Sequence, residues 1–221
     1  MSYKEILDKI ETQLEGEAHL DELANKKQDP FKILISTILS ARTRDANTRI
    51  ATEKLFAKYN NPKSLSEADI EDIEPLVKSS GFYKVKAARI KEVSNVLIKK
   101  YNSKVPENYE NLIDLPGVGS KTANCVLVYA FKIPAIPVDV HVNRISNRLG
   151  WVKTKNPLQT EVALKKTVPK ELWLKLNRLF VRFGQQICVS IRPKCEICVI
   201  KDICPKDFSM ELAKKKKKKK E

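Results

Sequence analysis

Four cysteines crowd the end of this chain. Cys188, Cys195, Cys198 and Cys204 stand in the pattern C-x6-C-x2-C-x5-C. A run that dense can enclose one metal centre with little help from the rest of the fold. The spacing alone leaves two centres open: a zinc ion held by four thiolates, or an iron–sulfur cluster. The first residues, MSYKEILDKI, are charged and amphipathic and lack the apolar core of a secretory signal. No apolar run is long enough to span a bilayer. A soluble, intracellular protein is therefore expected. In reducing surroundings, clustered cysteines are ligands more often than disulfides.

Elsewhere the periodicity is helical. Tyr3, Ile6, Leu7, Ile10 and Leu14 mark one helix face. Asp29-Pro30 opens the next helix, with Asp as N-cap and Pro in the first turn. Asp45 is expected to cap a third helix, with Ile50 and Leu55 on its apolar face. Ser66 is expected to cap a fourth, through Ile70, Ile73, Leu76 and Val77, which stops at Gly81. Further helices carry Ala87 to Tyr101, a short stretch after Pro106, Thr122 to Phe131, and Val140 to Gly150. Two more begin at Pro157 and near Glu171. Ile133-Pro-Ala-Ile-Pro137 reads as an extended connector. No convincing alternating strand is present, and a chain with only 6 glycines is poor material for a turn-rich β fold. The fold class is all-α.

Charge narrows the partner. Lys and Arg total 42 against 27 Asp and Glu, a net +15. The run Lys214–Lys220 with Glu221 carries +6 of this, so +9 belongs to the rest. A basic folded body favours a polyanion, with plain solubility as the alternative. The lysine run reads as a basic disordered tail, 211–221, that adds salt-sensitive affinity for nucleic acid.

A second motif, Leu115-Pro-Gly-Val-Gly-Ser-Lys-Thr-Ala123, breaks one helix and starts another. Gly117 and Gly119 lack Cβ atoms, so the backbone can approach another surface. The amides opening the new helix then form an anion site that suits a DNA phosphate. An ordinary helix–helix turn is the plainer reading. Lys121 falls in the first helical turn, where the dipole disfavours its ammonium form. A lysine that loses its proton readily attacks a sugar carbon. A phosphate-binding lysine accounts for the position equally well. Asp139 reads as the N-cap of the helix from Val140. A carboxylate there can also stabilise positive charge on a deoxyribose ring. His141 reads as packing or hydrogen-bond support.

Leu-Pro-Gly-Val-Gly-Ser-Lys-Thr-Ala-Asn-Cys, then Pro-Val-Asp-Val-His-Val-Asn-Arg, then the cysteine run resemble the endonuclease III family. That family is a branch of the helix-hairpin-helix DNA glycosylases. The resemblance extends from the first helix to Cys204. It implies two helical domains flanking a DNA-binding cleft: a six-helix domain, 23–133, and an iron–sulfur domain built from 1–22 and 134–210. It implies a 4Fe-4S cluster on Cys188, Cys195, Cys198 and Cys204, with Cys125 left in the core. It makes Lys121 the nucleophile and Asp139 the catalytic carboxylate. It brings the hairpin residues Gly117, Val118 and Gly119 to the DNA, with Arg192, Lys194 and Lys201 in a basic loop.

Two positions depart from the family pattern. Arg42 stands where glutamine commonly fills the gap left by the extruded base, which puts the opposite-base preference in doubt. Phe82 stands where leucine commonly wedges into the duplex. Core packing after Gly81 is the alternative for Phe82. The implied activity is a monomeric, bifunctional DNA glycosylase and abasic-site lyase acting on oxidised pyrimidines in duplex DNA. A monofunctional mismatch glycosylase is the nearest alternative, and such relatives generally lack a lysine at position 121. A non-enzymatic DNA-binding module also suits the charge and the hairpin.

Overall fold

The computed structural model describes residues 1–25 and 29–209. The expected tail, 211–221, lies outside them. Every regular element among the described residues is helical. None of these helices is long and apolar enough to cross a membrane.

The chain forms two compact units. A contiguous unit spans Glu17–Ala135, and a split unit joins Met1–Gly16 to the stretch from Ile136 onward. The chain returns to the split unit through the proline-bearing connector around Ile133–Pro137, which has no regular structure.

The contiguous unit holds α2 (His19–Asn25), α3 (Pro30–Ser40), α4 (Asp45–Lys58), α5 (Pro62–Glu67), α6 (Ile70–Val77), α7 (Tyr83–Tyr101), α8 (Tyr109–Ile113) and α9 (Ser120–Phe131). Helix α3 is its centre. Asp29 caps it by accepting from the Phe31 amide at 2.7 Å, and Pro30 supplies the first turn. Phe31, Ile33, Leu34, Ile35, Ile38 and Leu39 are all buried, as expected of a helix packed on more than one side. Helices α4 and α9 pack against it, while α7 packs against α5 and α6.

Three local expectations change. Helix α2 adds an element before Asp29. Asp45 lies inside α4, whose cap position is Arg44, and Ile50 is exposed while Ala51 and Leu55 are buried. Ser66 does not open α6. It belongs to α5, which Asn61 and Ser64 start with a reciprocal capping box, and α6 begins after Asp69.

The split unit holds α1 (Tyr3–Thr12), α10 (Val140–Arg148), α11 (Pro157–Thr167) and α12 (Trp173–Gln186). Leu7 and Ile10 of α1 join Val142, Ile145, Leu176, Leu179, Phe180 and Phe183 in one core. Lys175 and Arg178 of α12 pair with Asp8 and Glu11 of α1. Gln13 follows α1 and bonds both the Ile197 carbonyl, at 2.6 Å, and the Val199 amide, at 3.2 Å. The first helix is thereby tied to the cysteine-bearing loop.

Candidate functional site

The hairpin is built by a tight turn. The Val118 amide donates to the Leu115 carbonyl at 3.0 Å, and Gly117 takes φ +69° to let the chain reverse. Arg89 of α7 lies directly behind Gly117, where an added Cβ would fall 2.0 Å from its Nε. Gly117 and Gly119 are exposed. Val118 is 6 % exposed, so its side chain anchors the turn in the core and only the turn backbone faces outward. Gly119 is the N-cap of α9, so no cap side chain stands over the first-turn amides. Lys121 is the second residue of that helix and is half-buried. Cys125, further along α9, is buried in the core.

Arg42 and Phe82 occupy two neighbouring loops of the same unit. Arg42 follows the end of α3 at φ 52°, and its side chain is exposed. Phe82 follows Gly81, and both have positive φ, 50° and 61°. An aromatic residue in the left-handed region is strained. Phe82 is nevertheless 67 % exposed, so core packing does not explain it. The Thr43 hydroxyl donates to the Ser80 carbonyl and draws the two loops together.

Asp139 belongs to the split unit and caps α10. Its Oδ1 accepts from the His141 amide at 2.9 Å and the Val142 amide at 2.8 Å. Both bonds fall on one oxygen, so Oδ2 plays no part in the cap. The carboxylate is partly exposed. Capping fixes its orientation without consuming it. His141 acts as support, with its Nδ1 3.1 Å from Arg144 Nη2.

Cys188, Cys195, Cys198 and Cys204 line one cavity, whose empty space is about 430 Å³ including its open mouth. Burial pushes the Cys198 and Cys204 thiols up, and the other cysteines of the group add to the shift. Among the described residues, no three His, Cys, Asp or Glu side chains close on a single ion. Four cysteines on one cavity are nonetheless a donor set that suits zinc or an iron–sulfur cluster. Arg192, Lys194 and Lys201 are exposed on the same loop, with Arg192 at φ 52°.

Two arginines that the sequence reading left without a role hold this loop. Arg148 is 3 % exposed and donates to the Val189 carbonyl at 2.8 Å, the Ser190 carbonyl at 3.1 Å and Cys188 Sγ at 3.3 Å. Phe208 lies over its guanidinium at 4.9 Å. Arg144 donates to the carbonyls of Gly184 and Cys188, at 3.1 and 2.9 Å. Their signal was present in the sequence. Both fall on the helix face marked by Ile145, where an arginine must find partners or stay out.

The hairpin turn, the exposed left-handed loops and the cysteine-lined cavity are the features of a helical protein that handles nucleic acid. Residues 35–170 match the model of the HhH-GPD superfamily of base excision DNA repair proteins. Endonuclease III of Thermotoga maritima is 53 % identical over 81 % of this chain and 84 % of its own length. A solved non-covalent endonuclease III–DNA complex superposes with a TM-score of 0.82 at 35 % identity, covering 93 % of this chain and 96 % of the other. A trapped endonuclease III–DNA covalent intermediate gives 0.80 at 34 % identity, covering 92 % and 94 %. The chain belongs to the endonuclease III family and is a DNA glycosylase of base excision repair.

Proposed function

We propose that the protein is a bifunctional DNA glycosylase and abasic-site lyase that removes oxidised or ring-damaged pyrimidines from duplex DNA. The observation that carries this reading is Lys121, a half-buried amine two residues past the exposed Gly119 of the hairpin. The hairpin backbone receives a phosphate and positions the duplex without reading its sequence. Arg42 and Phe82 occupy the space vacated as the damaged base leaves the stack. Extrusion costs a few kcal/mol and least for a poorly stacked lesion, which aids selection.

Lys121 Nζ, as the free amine, attacks C1′ of the extruded nucleotide. The C1′–N bond breaks and its electron pair leaves with the base, which takes up a proton. Asp139 stabilises the positive charge that develops on the sugar. Opening of the ring at O4′ leaves Lys121 joined to C1′ as a protonated Schiff base. That group makes the C2′ proton acidic. Its removal expels the 3′ phosphate from C3′ and nicks the strand by β-elimination. Water then releases the lysine.

We further propose that Cys188, Cys195, Cys198 and Cys204 hold a 4Fe-4S cluster. When bound, it supplies a structural tie that keeps the basic loop folded, with no redox turnover. Arg192, Lys194 and Lys201 then meet phosphates from that loop.

Borohydride trapping on a duplex carrying one thymine glycol tests the reading. The wild type is expected to give a covalent protein–DNA band, and Lys121→Ala is expected to give none while still binding the duplex. Base release without a band in folded, iron-loaded wild type would make the enzyme monofunctional and sink the lyase assignment.

A further inference from the structure

Among the described residues, no carboxylate pairs with the buried Lys86. It lies on α7 at 4 % exposure, among side chains that form the core of the contiguous unit. Its Nζ donates to the Leu39 carbonyl at 2.7 Å, to Thr43 Oγ1 at 2.8 Å and to the Ser80 carbonyl. All three acceptors are neutral oxygens. Burial lowers its pKa from 10.5 to about 8, so the group is still an ammonium at neutral pH. It then has three N–H bonds, one for each acceptor.

The three acceptors come from different places in the chain. Leu39 lies in the last turn of α3, three residues before Arg42. Thr43 follows Arg42 directly. Ser80 precedes Phe82 by two residues. The Lys86 amide also donates to the Phe82 carbonyl, at 3.1 Å. One residue therefore grips both loops from beneath. Arg42 and Phe82 are the two non-glycine residues held at positive φ there, 52° and 50°. Such backbone strain persists only where the surroundings over-determine it. The Lys86 ammonium supplies that constraint. A charge buried without a counter-ion is a costly way to fill space, and an apolar side chain would fill it more cheaply. What the ammonium adds is a fixed point joining three backbone segments.

We propose that Lys86 is a positioning residue for base extrusion, locking the loops of Arg42 and Phe82 into one rigid edge that enters the duplex. The proposal rests on the reading above that these two side chains occupy the duplex. It gives Lys86 no contact with DNA and no part in bond breaking. Its effect is confined to the step in which the damaged base leaves the stack.

Extrusion is read by the fluorescence of 2-aminopurine placed beside a single thymine glycol in a duplex. Borohydride trapping on a single-stranded oligonucleotide with an abasic site reads the nucleophile where no base needs extruding. Lys86→Met is expected to slow extrusion about tenfold or more and to leave single-strand trapping within about twofold. In an Arg42→Ala/Phe82→Ala background the same change is expected to cost less than about twofold, because the residue acts through those side chains. A full loss in that background would mark general destabilisation and overturn the proposal. So would wild-type extrusion by Lys86→Met when Phe82→Ala is slow. If Arg42→Ala and Phe82→Ala both extrude normally, the reading of the loops fails first, and the role of Lys86 falls with it. Should Lys86→Met not fold, Lys86→Arg carries the test. It keeps the charge, but a planar guanidinium cannot direct three donors from one point. A folded Lys86→Arg enzyme is expected to show the same extrusion defect, and wild-type extrusion would overturn the proposal.

Discussion

Gly117 and Gly119 look alike in the sequence and differ in the structure. Gly117 holds φ +69°, and a Cβ there would strike Arg89. Gly119 has ordinary φ and nothing within 4 Å of an added Cβ. Gly117→Ala should therefore cost at least about 1–2 kcal/mol of stability from the left-handed backbone alone. Gly119→Ala should leave the melting temperature nearly unchanged and weaken DNA binding by keeping a phosphate from the backbone. Thermal melting together with fluorescence anisotropy on duplex DNA separates the two. Equal melting temperatures for both variants would sink the distinction. The hairpin was legible because Pro-Gly-x-Gly has few conformational options. The burial of Val118 was not, since one apolar residue between two glycines has no periodicity to read.

Between residues and whole units, the helix faces carry the main lesson. Helices α3 and α9 were legible because each has a start signal and a dense apolar sequence. The Asp29-Pro30 pair marks one, and the glycine turn marks the other. The α5–α6 boundary was hidden because Ser66 resembles a cap, whereas Asn61-Pro62 is the start that forms. Helix α2 is too short for a face to repeat. Lys86, Arg144 and Arg148 share one cause of oversight. Charged residues on an apolar stripe are usually taken as its edge, and their partners lie far away in sequence. Arg148 is the sharpest case, because its carbonyl acceptors belong to the loop that begins at Cys188. Arg148→Met should cost about 1–3 kcal/mol, since it strips part-buried acceptors of their donor at once. Urea unfolding monitored by tryptophan fluorescence checks this. A loss below about 1 kcal/mol would mean that water replaces the guanidinium without penalty.

At the scale of the molecule, the two units differ in what they depend on. The contiguous unit has its core in α3 and contains none of the four clustered cysteines. The split unit is tied to the cysteine loop through Gln13, Arg144 and Arg148. Both tryptophans, Trp151 and Trp173, belong to this unit, so their fluorescence reports it alone. On the proposal that the four cysteines hold a cluster, removing iron should lower the fluorescence-detected melting temperature, leave much of the far-UV helical signal in place, and weaken binding to duplex DNA. Coincident transitions at the iron-loaded temperature, with unchanged affinity, would count against a structural cluster.

The split in the chain also sets an order of events during synthesis. Leu7 and Ile10 of α1 leave the ribosome early, yet their core partners all lie beyond residue 135. The contiguous unit has its whole sequence available by Ala135 and can close by then. Helix α1 must wait through that entire interval with its apolar face uncovered. The cysteine-bearing loop emerges later still, so a nascent chain that already has its hairpin lacks the loop on which α1 is anchored. Assembly of this unit thus ends where helix α1 meets the cysteine-bearing loop.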